Sequence, residues 1–265
     1  MKFASHSVSK LKKYANSCLH IGLILTFIFI SSCSQQKQYI TAISGVEIPI
    51  SDSLKSDEKI DQYIKPFRDH IDQDLGKILS YARVTLDKSG KWQTTVGNLM
   101  ADATIDHANR IYKSRTSKNV DLVLLNIGGI RSILPKGDVT TRTAFELMPF
   151  ENKVIVAELP GSAILEMIDY LISEKKAHPL SGMTFTINKN NTAKDIRING
   201  QPFDINRTYN VATSDYLVTG GDRMYFFKKS IKNTDIDYKL RSIMIDYFKE
   251  KDTIPTLTDI RIKQE

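Results

Sequence analysis

Four aliphatic residues, Leu122-Val123-Leu124-Leu125, pass without a break into Asn126-Ile127-Gly128-Gly129-Ile130-Arg131. The apolar run reads as a buried strand. It ends in a backbone that only glycines allow, and a guanidinium follows at once. Paired glycines let main-chain N–H groups approach a ligand closely. Successive N–H groups in such a turn form a small anion-binding nest. Arg131 adds a planar fork of donors suited to phosphate or carboxylate. The same hexapeptide also fits a tight turn whose arginine pairs with a surface carboxylate. Two later stretches bear on that choice: Pro149-Phe150-Glu151-Asn152 and Tyr216-Leu217-Val218-Thr219-Gly220-Gly221-Asp222.

The N-terminus reads as an address. Lys2, Lys10, Lys12 and Lys13 make a basic start, an apolar run follows from Ile21 to Ile30, and Ile30-Ser31-Ser32-Cys33 closes it. These are the parts of a secretory signal. An apolar run of about ten residues is short for a membrane span, which needs about 20. A cysteine at that place resembles a bacterial lipobox, which predicts that Cys33 becomes the lipidated first residue and that Cys18 leaves with the signal. No disulfide, CxxC redox pair or cysteine metal site would then remain. The 265 residues carry 37 basic and 30 acidic side chains; four of the basic ones lie in the leader, which leaves 33 against 30 and a net charge of +3 in place of +7. So mild a surplus, without interleaved arginines and aromatics, argues against a nucleic-acid partner.

Further along, Ser34 to Gln38 is a polar spacer, and Ile40 to Ile50, apolar and β-branched, is predicted as a strand. Ile60, Ile64, Phe67, Ile71, Leu75 and Ile78 recur at helical steps, with Ser56 or Asp57 as N-cap and a kink expected at Pro66. Tyr81 to Leu86 is predicted as a short strand, and Thr94-Thr95-Val96-Gly97 opens a second helix. Helices are also expected over Thr141 to Met148, around Ile164 to Ile172 and around Leu240 to Tyr247. Strands are expected at Val154 to Val156, Met183 to Ile187, Ile196 to Ile198 (paired with Met183 to Ile187 and ending at the turn Asn199-Gly200) and Tyr209 to Thr213, with Ile254 to Ile262 closing the sheet. Without repeats or low-complexity segments, the pattern is α+β (mixed α/β) in a single compact domain from about residue 40 onward.

Four motifs then follow in order: Gly97-Asn98-Leu99-Met100-Ala101-Asp102-Ala103, Asn126-Ile127-Gly128-Gly129-Ile130-Arg131, Pro149-Phe150-Glu151-Asn152 and Thr219-Gly220-Gly221-Asp222. This succession resembles the C-terminal, substrate-recognition domain of the 5′-nucleotidase and UDP-sugar hydrolase family, over roughly Ile40 to Ile262. With the leader over residues 1–33 and the spacer over 34–39, the resemblance implies a domain of that type over 40–265. It implies that Asn126, Gly128, Gly129 and Arg131 form the loop whose arginine touches the nucleotide. Phe150 and Tyr216 would stack on the two faces of the base, Asn152 would lie beside it, and Asp222 would take the ribose hydroxyls. The chemistry is coherent in itself, since aromatic faces stack on any base for about 1–3 kcal/mol each. An aromatic after a proline or at a strand end is otherwise ordinary core. The chain departs from the family pattern at Ile127, where a third glycine is usual, and at Arg223-Met224, where a glycine and an aromatic are preferred. Ahead of the Gly97 helix, where some relatives carry phosphate-holding arginines, it has only Lys88 and Lys91.

Complete enzymes of that family also hold two metals in an N-terminal metallophosphoesterase domain, which activates water. Beyond the leader this chain offers only His70, His107 and His178, none in an Asp-x-His, Asn-His-Glu or His-x-His arrangement. No Gly-x-Ser-x-Gly elbow offers another catalytic route. The expectation is therefore a nucleotide-recognition domain with no catalytic residue and no cofactor of its own. Divalent metals are expected only in a separately encoded metallophosphoesterase partner. The place would be the bacterial cell envelope, lipid-anchored to a membrane. A stand-alone nucleoside- or nucleotide-binding lipoprotein, or a relic that holds a partner and binds nothing, are the alternatives.

Overall fold

The computed structural model describes residues 17–24, 39–40 and 42–265, in two units that meet in sequence at Ser56 and Asp57. In the first unit residues 17–24 are helical, and Cys33 with its lipobox lies outside the described residues. The strand expected over Ile40 to Ile50 is not formed. Its described residues carry no regular structure, and Ile40, Ile43, Val46, Ile48 and Ile50 are each at least 84% exposed. β-Branched residues favour a strand only where a neighbouring strand takes up their N–H and C=O groups, and here none does. No helix among the described residues is long and apolar enough to cross a membrane.

The second unit, Asp57–Glu265, begins with helix α1 (Glu58–Leu75). Asp57 caps it by accepting from the N–H groups of Lys59 and Ile60, at 2.9 and 3.3 Å. The helical spacing is as expected, yet α1 buries none of its residues. Ile60, Tyr63, Phe67 and Ile71 all stay more than half exposed. Ile78, the last member of the apolar series, belongs instead to β1 (Ile78–Ala82), so the strand starts earlier than Tyr81. Leu86 makes only an isolated bridge to Leu134.

A five-stranded sheet forms the centre, in the order β10 (Lys232–Lys239), β4 (Lys153–Pro160), β9 (Thr208–Ser214), β2 (Leu122–Leu124) and β5 (Leu180–Ser181). Both of its faces are covered. Val123, Val154, Val156 and Ala212 pack with α2 (Thr95–Thr116) and α6 (Leu240–Glu250). Leu122, Leu124, Ala157, Leu159 and Val211 pack with α4 (Gly161–Glu174) on the other side. A strand enclosed on both faces needs apolar residues at every position, which accounts for the unbroken run Leu122–Leu125. Strand β10 escaped the sequence reading because, as an edge strand, it buries only Ile236.

Two smaller sheets flank the first, β11 (Thr253–Ile254) with β1 and β3 (Gly137–Thr140), and β12 (Ile262–Gln264) with β6 (Met183–Ile187), β7 (Ala193–Ile198) and β8 (Gln201–Pro202). The segment Ile254 to Ile262 therefore does not close one sheet: its two ends join different sheets. Met183 pairs with Ile198 as expected, and Asn199 and Gly200, at φ 49° and 75°, make the tight left-handed hairpin turn. Thr94 caps α2 by accepting from Gly97 N–H at 3.0 Å. Short helices α3 (Thr141–Leu147) and α5 (Asp215–Val218) lead toward the site.

Candidate functional site

Strand direction gathers the site. β2 and β9 are parallel neighbours, with Leu122 opposite Val211 and Val123 opposite Ala212. The turns that follow them therefore leave the same edge of the sheet, where ligands of mixed sheets commonly bind. β4 runs antiparallel to β9 with Val154 opposite Ser214, which brings Pro149–Asn152 to that edge as well. Asn152 Nδ2 donates to Asp215 Oδ1 at 2.7 Å. Asn126, Gly128, Gly129, Arg131, Phe150, Asn152, Tyr216 and Asp222 all line one cavity of about 450 Å³. Phe150 and Tyr216 are 43% and 46% exposed, so neither ring has been taken into the core.

The first turn departs from its sequence reading. Ile127–Gly129 is a single 3-10 turn, and neither glycine needs a left-handed backbone. Its N–H groups do not form an open nest. Ile127 donates to His178 Nδ1, Gly129 to Asn126 O, Ile130 to Ile127 O and Arg131 to Leu147 O. With four donors spent inside the fold, the turn has little main chain to offer an anion. What the glycines supply is closeness: a Cβ on Gly128 would stand 3.3 Å from Asn126 Nδ2 and 3.9 Å from Asp222 Oδ2. Arg131 makes no ion pair among the described residues, and its Nη1 donates to Gly128 O at 3.5 Å. Its guanidinium stands 5.9 Å from the centre of the Phe150 ring. Lys88 reaches the same turn, with Nζ 3.4 Å from Ile130 O, whereas Lys91 turns away to Gln264.

The second turn is built on left-handed backbone. Gly220 has φ 94°, and Asp222 and Arg223, which have side chains, have φ 50° and 62°. Such a conformation costs a non-glycine residue roughly 1–2 kcal/mol. Tyr216 holds it: its hydroxyl donates to Asp222 Oδ1 at 2.9 Å and accepts from Asp222 N–H at 3.2 Å. The ring lies against Gly221, where a Cβ would meet ring carbons at 2.6 Å. Asn126 Nδ2 donates to Asp222 Oδ2 at 2.8 Å and so ties the two turns together. The Asp222 carboxylate is thus fixed at the cavity wall, each oxygen with a lone pair left for a hydroxyl donor.

A family model described as 5′-nucleotidase, C-terminal domain, matches residues 70–229. The chain belongs to that family. The trifunctional nucleotide phosphoesterase protein YfkN of Bacillus subtilis is 26% identical over 221 residues, 77% of this chain and 15% of that one. Protein UshA of Escherichia coli is 31% identical over 143 residues, 51% of this chain and 24% of that one. A 5′-nucleotidase precursor of Thermus thermophilus shares the fold with a TM-score of 0.65 at 22% identity, over 78% of this chain and 42% of that one. The chain thus spans less than half the length of these relatives. The mixed α+β architecture is the one expected of the family's C-terminal domain.

Beyond the family's motifs, a second cavity of about 330 Å³ adjoins the first and shares Gly128 and Asp222 with it. Its other lining residues are Ile127, Tyr170, Lys176, His178 and Arg223. His178 is 3% exposed, and burial pushes its pKa down to about 4. Burial likewise pushes the Tyr170 hydroxyl up to about 12, so it remains a donor, to Asp222 O at 2.8 Å. Of its residues only Arg223, a departure from the family pattern, stands out in the sequence, because the lining comes from both turns, α4 and the loop after it.

Asp106, His107 and Glu250 form the one cluster of metal-ligating types among the described residues. It does not fit a dimetal centre. Arg110 already fills it, with Nη2 at 3.0 Å from Asp106 and 2.8 Å from Glu250. A guanidinium among those carboxylates does the neutralising that an ion would do.

Proposed function

We propose that this chain supplies nucleotide recognition to a 5′-nucleotidase-type hydrolase, with the metal-bearing catalytic part on a separately encoded metallophosphoesterase. The observation that carries the reading is the single cavity in which two half-exposed aromatic rings, a fixed carboxylate and a guanidinium without an ion pair among the described residues meet. In it Phe150 and Tyr216 stack on the base, Asp222 accepts the ribose hydroxyls, and Arg131 meets negative charge. Asn126 orients Asp222, and Asn152 lies at the edge of the base. The described residues provide no dimetal ligand set, which is why hydrolysis is assigned to a partner. A relative described as a nucleotide phosphoesterase supports a nucleotide as the ligand class. Lipidation at Cys33 would hold the domain at the bacterial envelope.

A stand-alone binding lipoprotein is the second reading, favoured by a cavity whose aromatic and polar walls all come from this one chain. Calorimetric titration with AMP tests both, repeated on Phe150→Ala. Saturable binding, weakened by about 1–3 kcal/mol in the variant, is expected of a stacking ring. Binding untouched by the substitution would sink the aromatic clamp. A wild-type chain that binds only when a metallophosphoesterase is added would exclude the stand-alone reading.

A further inference from the structure

One amide on the wall of the first cavity cannot turn over. Asn152 Nδ2 donates to Asp215 Oδ1 at 2.7 Å, and the same oxygen accepts from Tyr216 N–H at 2.8 Å. A carboxylate only accepts, so the nitrogen of Asn152 must face it. The flipped amide would set two oxygens against each other, between residues that are both half-buried. The main-chain carbonyl of Asn152 is spent as well, on Leu240 N–H at 3.0 Å. What stays unbonded among the described residues is Asn152 Oδ1 and the second N–H of Nδ2.

The other polar groups of the cavity are committed. Arg131 only donates and the Asp222 carboxylate only accepts. The Tyr216 hydroxyl does both, toward Asp222. Asn126 is held by Asp222 as Asn152 is held by Asp215, but in the first turn. Asn152 follows Phe150 by two residues and Asp215 directly precedes Tyr216, so their bond joins the two segments that carry the rings. An acceptor and a donor in fixed order thus stand beside both aromatic plates.

The edge of a base either matches that order or opposes it. Adenine and cytosine present an amino donor next to a ring-nitrogen acceptor. Hypoxanthine, guanine and uracil present an oxo acceptor next to a ring N–H. An asparagine amide meets adenine through two hydrogen bonds at once. One that turned freely would serve either kind of base by exchanging its oxygen and nitrogen.

We propose that Asp215 makes this site selective for amino-bearing bases, by holding Asn152 Oδ1 for the exocyclic amino group and its N–H for the adjacent ring nitrogen. Asp215 is a positioning residue that acts through Asn152. The inference rests on the nucleotide reading above and extends it to nucleotides of adenine or cytosine.

The test is calorimetric titration of the full chain with AMP and IMP, which differ only at the edge in question. A metallophosphoesterase is added if the chain alone binds neither. AMP should bind about tenfold more tightly than IMP, the scale of one good two-bond contact. CMP should likewise bind more tightly than UMP. Asn152→Ala should bring AMP down to the affinity of IMP. Asp215→Ala should free the amide, so that IMP gains affinity while AMP loses it. General damage to the fold would weaken both, and Asn152→Ala then decides alone. Asp215→Asn, whose side-chain oxygen can still take both N–H groups, should restore the preference. Equal binding of AMP and IMP by the wild type overturns the selection and leaves the nucleotide reading standing. So does a preference for AMP that persists in Asn152→Ala. Binding of neither ligand, with or without the metallophosphoesterase, removes the nucleotide reading and the selection with it.

Discussion

Gly128-Gly129 and Gly220-Gly221 look interchangeable in sequence, and the first pair lines the cavity while the second directly precedes its Asp222, yet they hold it by different means. The first pair sits in a right-handed 3-10 turn where the N–H groups of Ile127, Gly129, Ile130 and Arg131 are consumed by the fold. Its glycines are there for space, and the nearest obstacles to a Cβ are the side chains of Asn126, Met148 and Asp222. Around the second pair the backbone is left-handed at Gly220, Asp222 and Arg223. At Gly221 the obstacle to a Cβ is the Tyr216 ring and main chain. A glycine pair beside a site therefore reports closeness in one case and conformational necessity in the other. Only the backbone angles and the neighbours tell them apart.

The sharpest way to break this comparison is a matched pair of substitutions. Gly221→Ala is expected to cost about 3 kcal/mol of stability, since ring and main chain must both move, and to lower nucleotide affinity with it. Gly128→Ala, opposed only by side-chain atoms at 3.3 Å and beyond, is expected to cost under about 1 kcal/mol. Chemical denaturation of both variants decides it, and equal losses would show that the turns do not differ.

Acid probes the first turn, which His178 ties from below. Burial pushes this histidine down to about 4, with Asp222 and Glu174 opposing and Lys176 reinforcing the shift. The unfolded chain then takes up a proton near pH 6.5 that the folded chain refuses until much lower pH, so stability falls as pH drops through that window. The loss from this group should reach about 2 kcal/mol by pH 5. Denaturation at pH 7 and pH 5 should show a flatter dependence for His178→Gln than for wild type. Parallel pH dependences would refute the role of His178.

The smallest effect belongs to the hydroxyl of the second turn. Tyr216→Phe keeps the ring and deletes the bonds to Asp222 Oδ1 and N–H. About 1 kcal/mol of stability should go, while AMP still stacks. A loosened Asp222 should also discriminate less between AMP and its 2′-deoxy analogue, which competition titration measures. Unchanged discrimination would mean that Asp222 is positioned by Asn126 alone.

Much of this was legible before any coordinates. Leu122–Leu125 announced an enclosed strand because full burial removes the need for polar alternation. The amphipathic spacing of α1 and the hairpin at Asn199-Gly200 were local properties, readable from side-chain period and turn chemistry. The eight cavity residues were legible as motifs in order, through resemblance to a family. The strand over Ile40 to Ile50 was misread because apolar β-branched residues do not create the partner strand they need. β10 was missed because an edge strand that buries one residue carries no alternation.

The sequence by itself determined most of the helices and enclosed strands, through local spacing, and the family and the cast of the first cavity, through motif order and the resemblance it carries. The tertiary structure decided which donors in the glycine turn are already spent and that Arg131 has no ion pair among the described residues. It also decided that His178, Lys176 and Arg223 meet behind Asp222. Those are properties of contacts between residues tens of positions apart, where the energy of burying a polar atom depends on the partner the fold brings to it and on nothing the neighbouring letters encode.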